Sequence, residues 1–283
     1  MNASDENQKP GNLRHDLKPA ASQRSGKRST PPYNPGLHKL VTSKQAWAEP
    51  LDADAKAHGF LGWHQRGYLP HHDVPGVTQL ITFRLHDAVP AIRRSEWEAL
   101  LRIENDRERR TKLEAYLDQG LGECWLRRSD VAEATQGALC FFNGQRYQLQ
   151  AWVVMPNHVH VVVDVWETPL ADLLKSWKGF IAREANKLLG RKGAFWEREY
   201  WDTRVTNAEH LAKAIRYVEA NPVKAGLARD AKDWPWGSVR FRDEPARLRM
   251  PKAGLETGAP GLMERRHVAG LKRASDSTRH PSV

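Results

Sequence analysis

The chain has few of the features that mark secreted, membrane-spanning or nucleotide-hydrolysing proteins. Its 283 residues include two cysteines, Cys124 and Cys140, whose spacing fits neither a disulfide framework nor a metal motif. No apolar run reaches the ~18 residues of a membrane helix. The first residues are polar, unlike a signal peptide, and no P-loop pattern is present. We therefore expect a cytoplasmic protein with no membrane segment and no ATP site.

Positive charge is concentrated at the two ends of the chain. The formal net charge is +10, of which residues 1–45 contribute +5 and residues 250–283 contribute +3. Both segments have little periodicity, which predicts a disordered basic leader and a basic, largely disordered tail around one domain at 46–249. A basic protein favours a polyanionic partner, but the remaining +2 means that specific nucleic-acid binding must come from local patches.

The centre of the chain contains two β-rich runs, 149–154 and 158–165, separated by turn-forming residues. Because side chains alternate between the faces of a strand, His158 and His160 project from one face and the intervening valines from the other. Two imidazoles one strand repeat apart can bind a single divalent metal ion. The His-X-His pattern alone is equally compatible with two histidines that only make hydrogen bonds.

The rest of the chain predicts alternating strands and helices. Further strands are expected at 77–85 and 195–205, and helices at 94–118, at 129–139, from Pro169 to a stop at Gly190, and at 208–220. The expected start and stop signals are a Ser95/Glu98 capping box, a Thr168 N-cap, a capping box at 206–209 and a stop at Asn221-Pro222. This order predicts an α+β sandwich, in which helices pack against an antiparallel sheet.

A segment rich in histidine, residues 62–73, precedes the first long strand. Glycine and proline interrupt it, so we expect a loop. Its three histidines and Asp73 raise a second metal site as an alternative, which the absence of any helical or strand repeat disfavours.

Cations and aromatic residues alternate between residues 175 and 204, where eight Lys/Arg face four Asp/Glu. Basic groups can follow phosphates while aromatic rings stack on unpaired bases, at about 1–3 kcal/mol per base. Core packing explains any single one of these aromatic residues equally well. The candidate nucleic-acid contacts are Lys175, Lys178, Arg183, Arg198, Arg204 and Trp177.

The last predicted helix places Tyr217 and Asn221 one turn apart, so both side chains can address the same point. His210 falls within the same arc and is a candidate general base. Tyr217 could instead be a packing residue and Asn221 a helix terminator. Tyr200 is a rival nucleophile, which we assign to the strand at 195–205.

Two motifs together indicate a family. Met-Pro-Asn-His-Val-His at 155–160, followed by Tyr-Val-Glu-Ala-Asn-Pro-Val-Lys-Ala-Gly-Leu at 217–227, resembles the Y1 (HUH) transposases, and most of all the REP-associated tyrosine transposases, relatives of the IS200/IS605 enzymes. Residues 66–70 and 234–238 (Trp-Pro-Trp-Gly-Ser) also resemble that group. The resemblance implies a ferredoxin-like, RRM-like antiparallel sheet flanked by helices. It also implies a transposase or endonuclease that cleaves and rejoins single-stranded DNA at hairpin-forming, REP-like repeats.

The resemblance also implies roles for individual residues. Tyr217 is the expected nucleophile, which forms a 5′-phosphotyrosine, and His158 and His160 are the expected ligands of Mg²⁺ or Mn²⁺. Mn²⁺ suits imidazole donors better than Mg²⁺, which prefers oxygen. Asn221 stands where the IS200/IS605 relatives usually have glutamine as a third polar ligand. Because asparagine is shorter, direct and water-bridged ligation both stay open. The expected partner is single-stranded DNA with hairpin repeats, bound by a monomer or homodimer.

Two other classes compete with this hypothesis. A regulatory protein could keep the fold and bind hairpin DNA or RNA without cleaving it. A metallohydrolase is disfavoured, because Asp164 lies four residues beyond His160 and the chain that remains is too short for a barrel beginning there.

Overall fold

The computed structural model describes residues 50–65 and 69–242, and a four-stranded antiparallel sheet is its centre. The strands are β1 (Gly62–Gln65), β2 (Pro70–Asp73), β3 (Val77–Leu85), β4 (Tyr147–Val154), β5 (His158–Val165) and β6 (Trp196–Val205). The large sheet has the order β4-β5-β3-β6, with helices between β3 and β4 and between β5 and β6. This is the split β-α-β order of ferredoxin-like folds. The predicted α+β class is confirmed.

Alternation along the strands sorts the side chains onto two faces of the sheet. On β5, His158 pairs with Arg84 of β3 and His160 pairs with Thr82, so these four side chains share one face, the histidine face. The valines at 159, 161, 163 and 165 point to the other face, the valine face, where all four are buried. The face assignment predicted from the two-residue period of β5 is therefore confirmed.

Helices α4 (Ser129–Cys140) and α5 (Leu170–Leu188) contact each other and cover the valine face. The predicted Thr168 cap of α5 is wrong. Pro169 occupies the N-cap position without a side-chain hydrogen bond, and Asp73 Oδ1 of β2 accepts from Leu170 N at 2.9 Å. The cap comes from a residue 97 positions away, which no local pattern could reveal.

The helix predicted at 94–118 is two helices, α2 (Arg94–Leu101) and α3 (Asp106–Leu117). The break is explained by Asn105, whose side chain accepts from Glu108 N at 2.9 Å and begins a new helix. The Ser95/Glu98 capping box does not form, because Arg93 precedes α2 and makes no side-chain cap. A short helix, α1 (Ala53–Ala57), begins the described residues.

Helix α6 (Ala208–Lys224) packs on the histidine face through Ala214 and Val218. It begins at Asn207, whose side chain accepts from His210 N at 2.8 Å. The predicted stop at Asn221-Pro222 is wrong. Proline lacks an N–H and removes one helical hydrogen bond, but the helix continues and Ala225 N donates to Asn221 O at 2.9 Å.

The histidine-rich segment forms strands β1 and β2, so the predicted loop is wrong. This hairpin is fixed to β6 through Asp202, whose Oδ1 lies 2.5 Å from His71 Nδ1 and whose Oδ2 accepts from His72 N at 2.9 Å. Residues 66–68, part of the 66–70 segment singled out in the sequence, are not among those described.

The predicted leader and tail also fall outside 50–65 and 69–242, so the domain boundaries stay predictions. Within the described ranges, no helix combines the length and the apolar character that crossing a membrane requires.

Candidate active site

His158 and His160 form a compact pair of rings on the histidine face. Their Nε2 atoms lie 3.0 Å apart, and the rings meet edge to face with centroids 4.7 Å apart. Each histidine is only 1% exposed. The strand period places both rings on one face, and the neighbouring groups then hold each ring through its other nitrogen.

The hydrogen bonds to the Nδ1 atoms decide where lone pairs point. Asn157 Nδ2 donates to Leu121 O at 3.0 Å, which turns the amide oxygen of Asn157 towards His158 Nδ1, 2.7 Å away. His158 Nδ1 must therefore be the protonated nitrogen, and its Nε2 has a lone pair. His160 Nδ1 lies 2.7 Å from Thr82 Oγ1, a hydroxyl that can donate or accept. Both Nε2 atoms can thus offer lone pairs to one cation.

Burial keeps both imidazoles neutral. It lowers the pKa of His158 to about 3, with a smaller contribution from the positive charge of Lys224. Burial also lowers the pKa of His160 well below its ordinary value, as do His158 and Lys224. A neutral imidazole is the form that binds a metal ion.

Tyr217 lies beside this pair. Its ring meets that of His160 edge to face, with centroids 5.4 Å apart. The hydroxyl is buried, within reach of the side chains of Glu114 and Asn221. Asn221, one turn later, is 1% exposed and its Nδ2 donates to Tyr217 O at 2.8 Å. The structure therefore brings together the tyrosine and the two histidines that sequence motifs singled out.

Charged residues of α3 and α6 lie close to the tyrosine. Burial raises the pKa of Tyr217 above its ordinary value, and the negative charge of Glu114 on α3 raises it further. Lys224 Nζ lies 5.9 Å from the centre of the Tyr217 ring, 3.3 Å from Asp118 Oδ2 and 4.0 Å from Glu114 Oε2. In this arrangement the phenol is protonated, so it needs a nearby positive charge or a proton acceptor before it can act as a nucleophile.

The donor set fits a divalent metal ion with an incomplete protein shell. Two neutral imidazoles converge, and the buried Oδ1 of Asn221 has no hydrogen-bond partner among the described residues. In the same ranges, no three His, Cys, Asp or Glu side chains cluster as a metal site. Any ion held by the pair must therefore take its other ligands from an amide, water or a bound phosphate. The second site considered at residues 62–73 has no support.

Sequence reasoning missed three residues of the site. Thr82 and Glu114 lie on other elements, and only the pairing of β3 with β5 and the packing of α3 bring them close. Lys224 could have been found, since it lies seven residues after Tyr217 and therefore two turns along the same helical face. The mistaken helix end at Asn221 concealed it.

The predicted nucleic-acid contacts do not gather at the histidine pair. Lys175, Lys178 and Arg198 line an open groove of about 540 Å³ between α5 and the start of β6, on the valine-face side of the sheet. Asp172 and Glu197 line it too, so its charge is mixed. Arg183 and Arg204 are exposed but do not line that groove.

Trp177 is a correction to the predicted set. It is 2% exposed in the core, and its Nε1 lies 2.9 Å from Tyr147 Oη. Its ring is therefore closed to an unpaired base. The helical period of α5 places residue 177 on the same buried stripe as Leu170, Leu173 and Leu174, which is why packing, and not binding, explains it.

The other two candidates for the chemistry lie elsewhere. Tyr200 is buried on the valine-face side of β6, with its ring centroid 4.3 Å from that of His71, as the assignment to a strand anticipated. His210 Nδ1 accepts from Thr206 N at 3.3 Å in the first turn of α6. At ~1.5 Å per residue, His210 lies roughly 10 Å from Tyr217 along the helix axis. This is too far for direct proton transfer.

Comparisons with known proteins agree with the motifs. The model of the family "Transposase IS200 like" matches residues 130–221, a range that contains both histidines and ends at Asn221. The REP-associated tyrosine transposase of Escherichia coli (strain K12) is 28% identical over 94 residues, 32% of this chain and 54% of that protein. A putative REP-associated tyrosine transposase of Haemophilus influenzae is 26% identical over 113 residues, 36% of this chain and 64% of that protein.

A solved structure described as a REP-associated tyrosine transposase bound to a REP hairpin also matches. It is 18% identical, with coverage of 73% of this chain and 99% of that chain and a TM-score of 0.40. The matched part of our chain spans between about half and two thirds of the length of the two curated relatives. The resemblance indicated by the histidine and tyrosine motifs is thus confirmed: over about a third of its length the chain is similar to the REP-associated tyrosine transposases.

Proposed function

We propose that this protein is a metal-dependent transposase or endonuclease that cleaves and rejoins single-stranded DNA at hairpin-forming, REP-like repeats through a 5′-phosphotyrosine intermediate. The observation that supports it most is the contact between Tyr217 and His160, whose ring centroids lie 5.4 Å apart. Next to this contact, the Nε2 atoms of His158 and His160 lie 3.0 Å apart. The relatives bear the name of transposases. A location in the cytoplasm, as the sequence predicted, belongs to this proposal.

His158 and His160 would hold Mn²⁺ or Mg²⁺ through Nε2, with Asn221 as the third polar group. When bound, the ion supplies positive charge to the phosphate oxygens, which lowers the repulsion between a phosphodiester and an approaching phenolate. Lys224, close to the same rings, adds a fixed positive charge.

Tyr217 Oη attacks the scissile phosphorus, and the bond from phosphorus to the 3′-oxygen breaks. The phenolic proton is released to water as the new P–O bond forms, and the departing 3′-oxygen takes up a proton from water to become a hydroxyl. Rejoining reverses these steps when a 3′-hydroxyl attacks the phosphotyrosine. Since one phosphate ester replaces another, the exchange needs no ATP.

The buried state of the site adds a requirement. Both histidines are 1% exposed and the Tyr217 hydroxyl is covered. A phosphate can therefore reach the pair only after a local opening, which the binding energy of the DNA would have to drive.

The test is a covalent-adduct assay on single-stranded oligonucleotides with hairpin-forming inverted repeats, taken from the DNA that flanks the gene. With Mn²⁺ or Mg²⁺ the wild type should form an adduct that survives denaturing electrophoresis, and Tyr217→Phe should form none. Tyr200→Phe is the matched control and should retain the adduct, since Tyr200 packs against His71 on the other face.

Two outcomes would count against the proposal. An adduct that persists in Tyr217→Phe would exclude this residue as nucleophile. Tight hairpin binding by the wild type without an adduct under any metal condition would favour the non-catalytic regulatory protein instead.

A further inference from the structure

The segment that contains the Trp-Pro-Trp-Gly-Ser motif, residues 234–242, lies along the outer edge of β4. Val154 N donates to Trp236 O at 2.8 Å, and Trp152 N donates to Ser238 Oγ at 3.2 Å. These bonds satisfy backbone groups of an edge strand that would otherwise lack partners. The edge segment, as we call residues 234–242, is therefore fixed to the sheet.

Glu219, two residues after Tyr217 on α6, connects this edge segment to the helix of the proposed nucleophile. Its Oε1 accepts from Ser238 Oγ at 3.0 Å and from Arg242 Nε at 2.9 Å, and its Oε2 accepts from Arg242 Nη2 at 2.5 Å. The Glu219 side chain is 11% exposed. Two-point hydrogen bonds between guanidinium and carboxylate are strong and directional, so they hold the helix in one orientation.

The contacts of α6 with the sheet itself lack this directional character, and a half-exposed ion pair joins the C-terminal end of the helix to the end of α3. Ala214 and Val218 pack on the histidine face, and Leu211 and Ile215 are only partly buried there. Apolar burial is not directional, so these contacts determine that the helix lies on the sheet but only weakly determine its rotation about its own axis.

That rotation matters at the end of a long side chain. A tyrosine hydroxyl lies roughly 9 Å from the helix axis, given a Cα radius of ~2.3 Å. A rotation of about 10° therefore moves the hydroxyl by roughly 1.5 Å, and a misplacement of ~1 Å can cost about 10²-fold in rate. A directional contact close to Tyr217 in the helix would prevent this loss.

We propose that Glu219 is a positioning residue for Tyr217, and that together with Ser238 and Arg242 it fixes the rotation of α6 so that the phenol meets His160. The catalytic consequence rests on the proposed function, but the mechanical consequence does not. The Trp-Pro-Trp-Gly-Ser motif then links α6 to the edge of the sheet, so that the sheet determines the orientation of the helix.

The first experiment compares Glu219→Ala with the wild type in the adduct assay under single turnover at saturating DNA. We expect adduct formation about 10–100-fold slower, with DNA affinity changed by less than about threefold. Glu219→Gln keeps a hydrogen-bond acceptor and should recover part of the rate. Adding Arg242→Ala to Glu219→Ala should cause little further loss, because both substitutions remove the same contact.

Glu209→Ala is the matched control on the same helix. Glu209 is 76% exposed and pairs only with Lys213 at 2.6 Å in the described structure, remote from the edge segment. The Glu209→Ala substitution should leave the rate of adduct formation unchanged. A loss in Glu209→Ala equal to that in Glu219→Ala would overturn the proposal, since it would reflect general weakening of α6.

The second experiment needs no DNA and no activity. Backbone hydrogen exchange at residues 217–224 should accelerate in Glu219→Ala and stay at the wild-type value in Glu209→Ala. If the wild type forms no adduct, the proposed function fails and this exchange measurement alone decides the positioning role. Wild-type exchange in Glu219→Ala would overturn it, as would a wild-type rate of adduct formation.

Discussion

His158 Nε2 and His160 Nε2 lie 3.0 Å apart, while the Nδ1 atom of each ring is held by a different neighbour, Asn157 for one and Thr82 for the other. Two lone pairs at that separation repel each other unless a proton or a metal ion lies between them. Burial prevents the pair from taking up an extra proton, since it lowers the pKa of both rings. Either a shared N–H or a bound cation must therefore stabilise the arrangement.

Thr82→Val should weaken metal binding although Thr82 is not a proposed ligand. The substitution removes the hydrogen bond to His160 Nδ1, so that neither the orientation nor the tautomer of the ring is fixed. Losses of such supporting groups typically cost 10–100-fold in metal affinity. Titration of the DNA-free protein with Mn²⁺, monitored by calorimetry or electron paramagnetic resonance, measures the metal affinity.

The control for that substitution is Thr78→Val, on the same strand and face. Thr78 Oγ1 donates to Asp164 Oδ1 at 2.6 Å, away from the histidine pair. The affinity of the Thr78→Val variant for Mn²⁺ should match that of the wild type. Equal affinities in Thr82→Val and Thr78→Val would contradict the role given to Thr82.

Lys175→Ala and Arg198→Ala should each weaken binding of a single-stranded oligonucleotide if the groove beside α5 follows its phosphates. Each lost phosphate contact should reduce the slope of log affinity against log salt by about 0.7. Lys213→Ala on α6 removes an exposed lysine far from this groove and is the control. Unchanged salt slopes in both groove variants would mean that DNA does not bind there.

Trp177→Ala should act on stability, because its ring is core and not a stacking surface. Truncation of a buried tryptophan costs about 3–5 kcal/mol in the free energy of unfolding. Trp177→Phe keeps most of the packing and should bind DNA as tightly as the wild type. A selective loss of DNA affinity in Trp177→Phe, with stability preserved, would restore the original stacking hypothesis.

Asp73→Ala should destabilise the fold by about 1 kcal/mol, within the 0.5–2 kcal/mol that loss of an N-cap typically costs. The substitution removes the acceptor for Leu170 N at the start of α5. Urea unfolding measures the loss, and Asp73→Asn, which keeps an oxygen, should recover much of it. A fall in Mn²⁺ affinity in Asp73→Ala would instead revive a metal site at the hairpin.

Folding stability should depend on the protonation of His71. Burial by itself would lower the pKa of His71, but hydrogen bonds to Asp202 and Glu199 raise it to about 9. Because the folded pKa exceeds the unfolded value of ~6.5, the stabilisation is fully present below pH ~6.5 and is lost as the pH rises through about 9. The loss should be on the order of 3 kcal/mol.

Urea unfolding at pH 6 and pH 9.5 tests this dependence. His71→Gln should be less stable at pH 6 and should show a smaller difference between the two pH values. If wild type and variant lose the same stability as the pH rises, then His71 is not the group responsible.

Local patterns were sufficient for much of the fold. The strand at 77–85 matches the structure residue for residue, and the two-residue period of β5 correctly put both histidines on one face. These features depend on neighbours in the chain. The predicted helix at 94–118 failed because Asn105 offers a cap that competes with continuation. The predicted end of α6 failed because packing of the helix tolerates a proline inside it.

The amino-acid sequence by itself determined the elements, their faces and the identity of the histidine and tyrosine groups, because strand and helix periods are set by the backbone. Only the tertiary structure decided that Thr82 holds His160, that Asp73 caps α5, and that Glu219 joins the tyrosine helix to the edge of the sheet. Each of these contacts links residues on different elements. Their partners are therefore chosen by how the helices and strands pack, and no spacing along the chain contains that information.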